Sequence, residues 1–219
     1  MRIGITGDTH GSAQAIRRIL QQTPPIELWL HTGDYAADAN RLHYATGIKT
    51  VRVRGNCDLL DDGSKFDEYL EIEGYKIWLT HGHRYIERNV QADLGYWAKQ
   101  LGQDIVVFGH THVPMAEYYA ETLLVNPGSP SRPRGGSEPC FAVLTLQAGQ
   151  TPQAKLCAAA QAGGAIHQPD GPESLCTEQR DQQPGHQLAL AAQQRGLCDA
   201  GRRPAHTYGS QCAHHQAQA

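Results

Sequence analysis

The chain has 219 residues, enough for one medium domain or for one domain with an extension. A net charge of −3 leaves no basic footprint for nucleic acid, and no run approaches the roughly 20 apolar residues of a membrane span. Six cysteines without a zinc-type Cys-x-x-Cys spacing, and a strand pattern that begins at Arg2 with no room for a signal peptide, set the expected location as cytoplasmic.

The first unit reads as strand, loop and helix. Ile3 and Ile5 are the apolar positions of a strand that ends at Gly7-Asp8-Thr9-His10-Gly11. Ser12 has a helix-capping side chain, and Ala15, Ile16, Ile19 and Leu20 make a helical stripe that Thr23-Pro24-Pro25 stops. The form then repeats. Ile26, Leu28, Trp29 and Leu30 read as a buried strand ending at His31-Thr32-Gly33-Asp34, with a short helix expected over 36–44. A third strand over 50–53 ends at Arg54-Gly55-Asn56-Cys57-Asp58. Strands separated by short helices imply βαβ units and a mainly parallel sheet.

After Asp58 the pattern changes. Residues 69–72 and 75–79, separated by Gly74, read as a hairpin whose second strand ends at Thr80-His81-Gly82-His83. Val90, Leu94, Trp97, Ala98 and Leu101 share one helical face, and Gly102 ends that helix. The apolar, β-branched run 104–108 is a buried strand that ends at Gly109-His110-Thr111-His112. Strands are expected over 116–120 and 122–125, before the turn Asn126-Pro127-Gly128-Ser129. Another is expected over 140–146, and a short one over 154–156. From about Cys157 alanine, glutamine, glycine and proline dominate, and beyond Gln150 there is no valine, phenylalanine, tryptophan or methionine. Such a segment buries too little apolar surface to offset its ordering entropy. The expected division is a domain over 1–156 and a disordered Ala/Gln-rich tail over 157–219.

Successive strand ends carry one kind of side chain: Asp8 with His10, Asp34, Asn56, His81, and His110 with His112. In open α/β sheets ligands bind beyond the carboxyl ends of strands. A single His-x-His is an ordinary loop feature. Carboxylate, amide and imidazole at one strand end after another point instead to divalent metals. These ligands suit Mn, Fe, Co, Ni and Zn, and no thiolate set is present. With two such ions, Asp8 and Asp34 offset half of the positive charge, which leaves a centre that favours an anionic oxygen. That suits phosphate-ester hydrolysis by in-line attack of a metal-bound hydroxide. Asp34, with two carboxylate oxygens, is the natural bridge. Trp29, Trp78 and Trp97 read as core, and His31 and His43 as structural. Arg54 reads equally as a phosphate contact or a solvated arginine; Ser129, Arg132 and Arg134 are set aside as mouth candidates.

Asp8-x-His10, Gly33-Asp34, Gly55-Asn56-Cys57-Asp58, His81-Gly82 and Gly109-His110-x-His112 resemble the five signature blocks of the calcineurin-like metallophosphoesterases. With Asn126-Pro127-Gly128-Ser129 and the short length, the chain is most similar to the small YfcE-type phosphodiesterases, over residues 1 to about 150. The resemblance implies an α/β fold, a four-layer α-β-β-α sandwich of the metallophosphoesterase type. It implies two divalent metal ions as cofactors, with Mn expected and Ni, Zn, Fe, Co or Mg as alternatives. Asp8, His10 and His112 would hold one ion, and Asn56, His81 and His110 the other, with Asp34 between them. Asp34 and Asn56 thereby serve catalysis as well as ligation.

Many members carry histidine after the asparagine, where this chain has Cys57. A thiol with a pKa of about 8.5 is a poor acid for an alkoxide at neutral pH. His83 is the candidate substitute, against the reading that it only packs at the rim. Activated or aryl phosphodiesters are then the expected laboratory substrates. The expected partner is a small phosphodiester or nucleotide-like substrate, with no stable nucleic-acid binding and no membrane; homo-oligomerisation stays open. Two other readings remain: a phosphomonoesterase or nucleotide pyrophosphatase, and a non-catalytic, Vps29-like protein-binding scaffold of the same fold. A complete set of ligating side chains favours the enzyme.

Overall fold

The computed structural model describes residues 1–59 and 63–159; of the expected tail over 157–219, Cys157 and Ala158 belong instead to the last strand and Ala159 is buried, and the remainder, from residue 160 onward, lies outside the described residues. In chain order the first half is β1 (Arg2–Thr6), α1 (Ala13–Gln22), β2 (Leu28–His31), α2 (Asp38–Thr46), β3 (Thr50–Arg52), β4 (Asp67–Ile72) and β5 (Tyr75–Thr80). The second is α3 (Val90–Leu101), β6 (Ile105–Val107), β7 (Met115–Tyr119), β8 (Thr122–Asn126), β9 (Cys140–Thr145) and β10 (Gln153–Ala158). The strands form two five-stranded sheets, in the orders β10-β9-β1-β2-β3 and β4-β5-β6-β8-β7.

Side-chain alternation along the strands builds the layers, because successive residues face opposite sides of a sheet. Ile3, Ile5, Leu28 and Leu30 of the first sheet meet Ile77, Leu79, Ile105, Val107, Leu123 and Val125 of the second in one buried cluster. The residues between them face outward. Trp29, Phe141 and Val143 pack under Ile16 and Ile19 of α1 and Leu42 of α2. Trp78, Val106 and Leu124 pack under Leu94 and Ala98 of α3. The result is helix, sheet, sheet, helix, the four-layer sandwich that the resemblance implied. Trp97 is a partial exception to its expected core role, since it lies half-buried at the edge of the α3 cluster.

The helix ends follow their sequence signals. The Ser12 side chain accepts from Ala15 N–H at 3.2 Å, and Asn89 caps α3 in the same way. Gly102 ends α3 in the left-handed conformation, φ 62°.

The expected βαβ units give parallel β1–β2 and β2–β3 and the expected hairpin is β4–β5, but the sheets are not mainly parallel. β1–β2, β2–β3, β5–β6 and β6–β8 are parallel, whereas β1–β9, β9–β10, β4–β5 and β7–β8 are antiparallel. Tight hairpins at the sheet edges and the returning C-terminal strands supply the antiparallel half, since a short turn can only reverse the chain. The parallel strands still matter most for the site, because the loops after β1, β2, β3, β5 and β6 carry the expected ligands. No helix among the described residues is long and apolar enough to cross a membrane.

Candidate metal centre

All seven side chains expected as ligands come together where the two sheets meet. Asp8 and His10 follow β1, Asp34 follows β2 and Asn56 follows β3, all from the first sheet; His81 follows β5 and His110 and His112 follow β6, from the second. Ligand atoms of Asp8, His10, Asp34 and His112 lie within 4.8 Å of one another. The Asn56 side-chain oxygen lies 3.0 Å from His81 Nε2 and 3.1 Å from His110 Nδ1, and His81 Nε2 lies 3.3 Å from Asp34 Oδ1. Asp34 therefore faces both groups, with its other oxygen 3.9 Å from His10 Nε2.

The backbone is bent to allow this. Asp8 (φ 48°), His10 (46°), Asp34 (52°), His110 (68°) and His112 (59°) all adopt the left-handed region. Asp and His tolerate that region better than most residues, and such conformations persist only where the surroundings enforce them. Two glycines make the space. A Cβ on Gly55 would lie 2.2 Å from Asp34 Oδ1, and one on Gly109 would lie 2.7 Å from Asp8 Oδ2.

Backbone hydrogen bonds then set the ligands. Asp8 Oδ2 accepts the His110 N–H at 3.1 Å, and Asp34 Oδ1 accepts the Cys57 N–H at 2.9 Å. His81 Nδ1–H donates to the Thr32 carbonyl at 2.8 Å, and His112 Nδ1–H donates to the Arg132 carbonyl at 2.6 Å. These bonds fix the tautomer and leave each Nε2 as a lone pair aimed inward, the usual support for a metal-binding imidazole.

The inward lone pairs face other acceptors. His112 Nε2 lies 3.2 Å from Asp8 Oδ1, a fully buried oxygen without a hydrogen-bond donor. His112 Nε2 is also 3.3 Å from His10 Nε2. His81 Nε2 faces two oxygens. Buried acceptors set against acceptors are costly unless a cation or proton lies between them. Protons answer only part of this: the Asp8 carboxylate outweighs burial and holds the His112 imidazole above its ordinary value, whereas burial, with neighbouring imidazoles, pushes the His10 imidazole down and the His110 imidazole down to about 4. Burial would by itself raise the Asp8 carboxyl; the close His112 imidazole, with His81 and His10, outweighs it and holds the group below its ordinary value. Two carboxylates, an amide oxygen and four imidazoles, buried or half-buried save for the exposed Asn56, fit divalent cations.

The other expected residues take varied places. His83 stands beside the ligand set, its ring 5.2 Å from that of His81 and 6.1 Å from that of His110. Burial, then the positive field of His81, His110 and Arg84, lowers its pKa to about 3. His31 is fully buried, and its structural role is specific: Nδ1 accepts the Gly33 N–H and Nε2–H donates to Thr9 Oγ1, each at 3.2 Å. His43 lies exposed, with Nδ1–H on the Ile48 carbonyl at 2.9 Å. Ser129 is buried rather than at a mouth, and its hydroxyl donates to the Asp8 carbonyl at 2.8 Å.

Sequence reasoning gave Asp58 no role, although it ties the loops together. Its Oδ1 accepts the N–H groups of Tyr35 and Ala36 at 2.9 and 2.8 Å, and Oδ2 accepts that of Gly55 at 2.8 Å. The signal available was its place in the Gly55-Asn56-Cys57-Asp58 turn, where short acidic side chains accept nearby backbone N–H groups.

Residues 1–149 match the family model described as the calcineurin-like phosphoesterase superfamily domain. The chain belongs to that superfamily. As a calcineurin-like phosphoesterase it is 34% identical over 149 residues to the probable metallophosphoesterase YsnB of Bacillus subtilis, covering 67% of this chain and 85% of that one. It is 32% identical over 174 residues to the phosphodiesterase YfcE of Escherichia coli K12, covering 66% of this chain and 87% of YfcE. The fold of this phosphoesterase is also that of Entamoeba histolytica Vps29 complexed with zinc, with a TM-score of 0.60 at 23% identity, over 73% of this chain and 100% of that one.

Proposed function

We propose that the chain is a dinuclear-metal-dependent phosphodiesterase that hydrolyses small phosphodiesters by in-line displacement at phosphorus. The observation that carries this is the pair of inward lone pairs, His81 Nε2 and His112 Nε2, each set against carboxylate or amide oxygens in a buried cluster. Asp8, His10 and His112 would hold one ion and Asn56, His81 and His110 the other, with Asp34 shared between them. Divalent ions there supply positive charge for the phosphoryl oxygens and an activated water. Mn²⁺ suits this oxygen- and nitrogen-rich set, as do Ni²⁺, Zn²⁺, Fe²⁺ and Co²⁺.

The chain's own residues do the rest. The bonds from Thr32 and Arg132 carbonyls hold His81 and His112 in one orientation. Gly55 and the Cys57 N–H hold Asp34. Asn56 is exposed, so the open side of the centre is where an anionic substrate enters. His83 lines that side next to His81 and His110, and we assign it to contact with the substrate's leaving group. The domain runs through β10, and residues beyond it take no part in the chemistry. Similarity to the phosphodiesterase YfcE of Escherichia coli supports a diester over a monoester substrate.

Hydrolysis of bis(p-nitrophenyl) phosphate by chelator-stripped protein, with single metals added back, tests this. Turnover should return with metal and fall by at least about 10²-fold in Asp34→Asn, which removes one charge and the shared ligand. A truncation after Ala159 should keep full activity. No turnover with any metal, in folded protein, would replace this reading with that of a protein-binding scaffold.

A further inference from the structure

One surface feature lies outside the ligand set and the bonds that hold it. Phe66 precedes β4 and is 38% exposed. Its ring lies 6.0 Å from that of His83, which in turn lies next to His81 and His110. The Arg84 guanidinium carbon lies 4.6 Å from the centre of the Phe66 ring, and that of Arg54 lies 5.4 Å from it.

Arg84 is exposed and pairs with no carboxylate among the described residues. An exposed arginine loses side-chain entropy when it is held in one place, and the cation–π contact offsets that loss. The outcome is a planar cation backed by an aromatic ring, one histidine removed from the His81 and His110 half of the centre. A guanidinium plane stacks on aromatic bases and its charge attracts anionic oxygens. A lysine ammonium would supply only the charge.

We propose that Arg84, held over Phe66, is the shelf on which an aromatic, nucleotide-like ester group of the substrate stacks while its phosphate occupies the metal centre. The proposal rests on the phosphoesterase reading and narrows its substrate class. Arg84 sets specificity, and Phe66 is its positioning residue.

Calorimetric titration of the full chain loaded with Mn²⁺ tests it without turnover. Adenosine 5′-monophosphate and ribose 5-phosphate share a phosphate and a sugar and differ only in the base. Wild type should bind the nucleotide about tenfold more tightly, the scale of one base stacked on a planar side chain. Arg84→Lys keeps the charge and removes the plane; Phe66→Ala removes the backing. Each should bring the two affinities within about twofold of each other, with ribose 5-phosphate binding unchanged, which also reports an intact fold and centre. Equal affinities in wild type, or a tenfold preference kept by Arg84→Lys, would overturn the shelf and leave the phosphoesterase reading standing. Binding of neither ligand by wild type would overturn both.

Discussion

At the scale of single residues, the supports of the ligands decide as much as the ligands. His31 joins two ligand loops, accepting from Gly33 next to Asp34 and donating to Thr9 between Asp8 and His10. His31→Phe preserves much of the volume and leaves a buried N–H and a buried hydroxyl without partners. Each orphaned group costs about 1–3 kcal/mol, so urea unfolding should show a loss of about 2–4 kcal/mol. Mn²⁺ affinity should weaken in the same variant, because both loops lose a restraint; an unchanged metal affinity would sink that role. Gly55→Ala acts more directly. Its new Cβ would lie 2.2 Å from Asp34 Oδ1, so the carboxylate must move and metal affinity should fall by about 10–100-fold. The ligands themselves were legible in the sequence because each stands at a strand end and has a ligating side chain. His31 and Asp58 were not legible in this role, because their work is to bond backbone N–H groups of loops distant in sequence. No residue pattern announces such a partner before the loops are placed.

At the scale of elements, α3 shows what local sequence can specify. Asn89 caps it, and Asp93 in its first turn accepts the N–H groups of Glu87, Arg88 and Asn89 at 2.8, 2.9 and 3.0 Å. Burial is the largest single influence and would raise the Asp93 carboxyl, but these three bonds, with the Arg88 charge, together outweigh it and hold the group below its ordinary value. A carboxyl depressed in the folded state stabilises above its unfolded pKa, and that stabilisation fades as pH falls through the folded value, because the unfolded chain takes up the proton first. Asp93→Asn should therefore cost about 1 kcal/mol at pH 7 and progressively less as pH falls below the ordinary carboxyl range, read as the gap between urea midpoints of variant and wild type. A gap that does not narrow in acid would mean that the three bonds do not depend on charge. Strands and helices were legible to within a few residues, since the alternation of Ile3 and Ile5, or of Ile77 and Leu79, is local. The strand order was not. β8 lies between β6 and β7, and β9 returns beside β1, through pairings with partners far along the chain. An edge hairpin and a parallel crossover use the same apolar alternation, which is why the antiparallel β1–β9 and β9–β10 pairings departed from the expected mainly parallel arrangement, whereas the β4–β5 hairpin matched the sequence expectation.

At the scale of the molecule, the centre sits on the seam between the sheets. Asp8, His10, Asp34 and Asn56 extend from one sheet, and His81, His110 and His112 from the other. Without metal, the seam is already crossed by bonds such as the His110 N–H to Asp8 and His81 Nδ1–H to the Thr32 carbonyl. The same seam sets acceptor against acceptor at His112 with Asp8 and at His81 with Asp34. Cations bound there would therefore join the sheets as well as serve chemistry. A ligand that binds only the folded state stabilises it by about 2.7 kcal/mol when present at 100 times its dissociation constant. Thermal unfolding of chelator-stripped protein should thus shift upward with added Mn²⁺ and keep rising with its concentration. Asp34→Asn should lose most of that shift while its metal-free unfolding temperature stays near that of wild type, since the substitution removes a buried negative charge and keeps the side-chain oxygen that accepts from Cys57. Amide hydrogen exchange should locate the effect, with protection gained in the loops after β1, β2, β5 and β6. A rise in unfolding temperature without protection at those loops would place the metal elsewhere on the chain, because only ions held at the seam can restrain both sheets together.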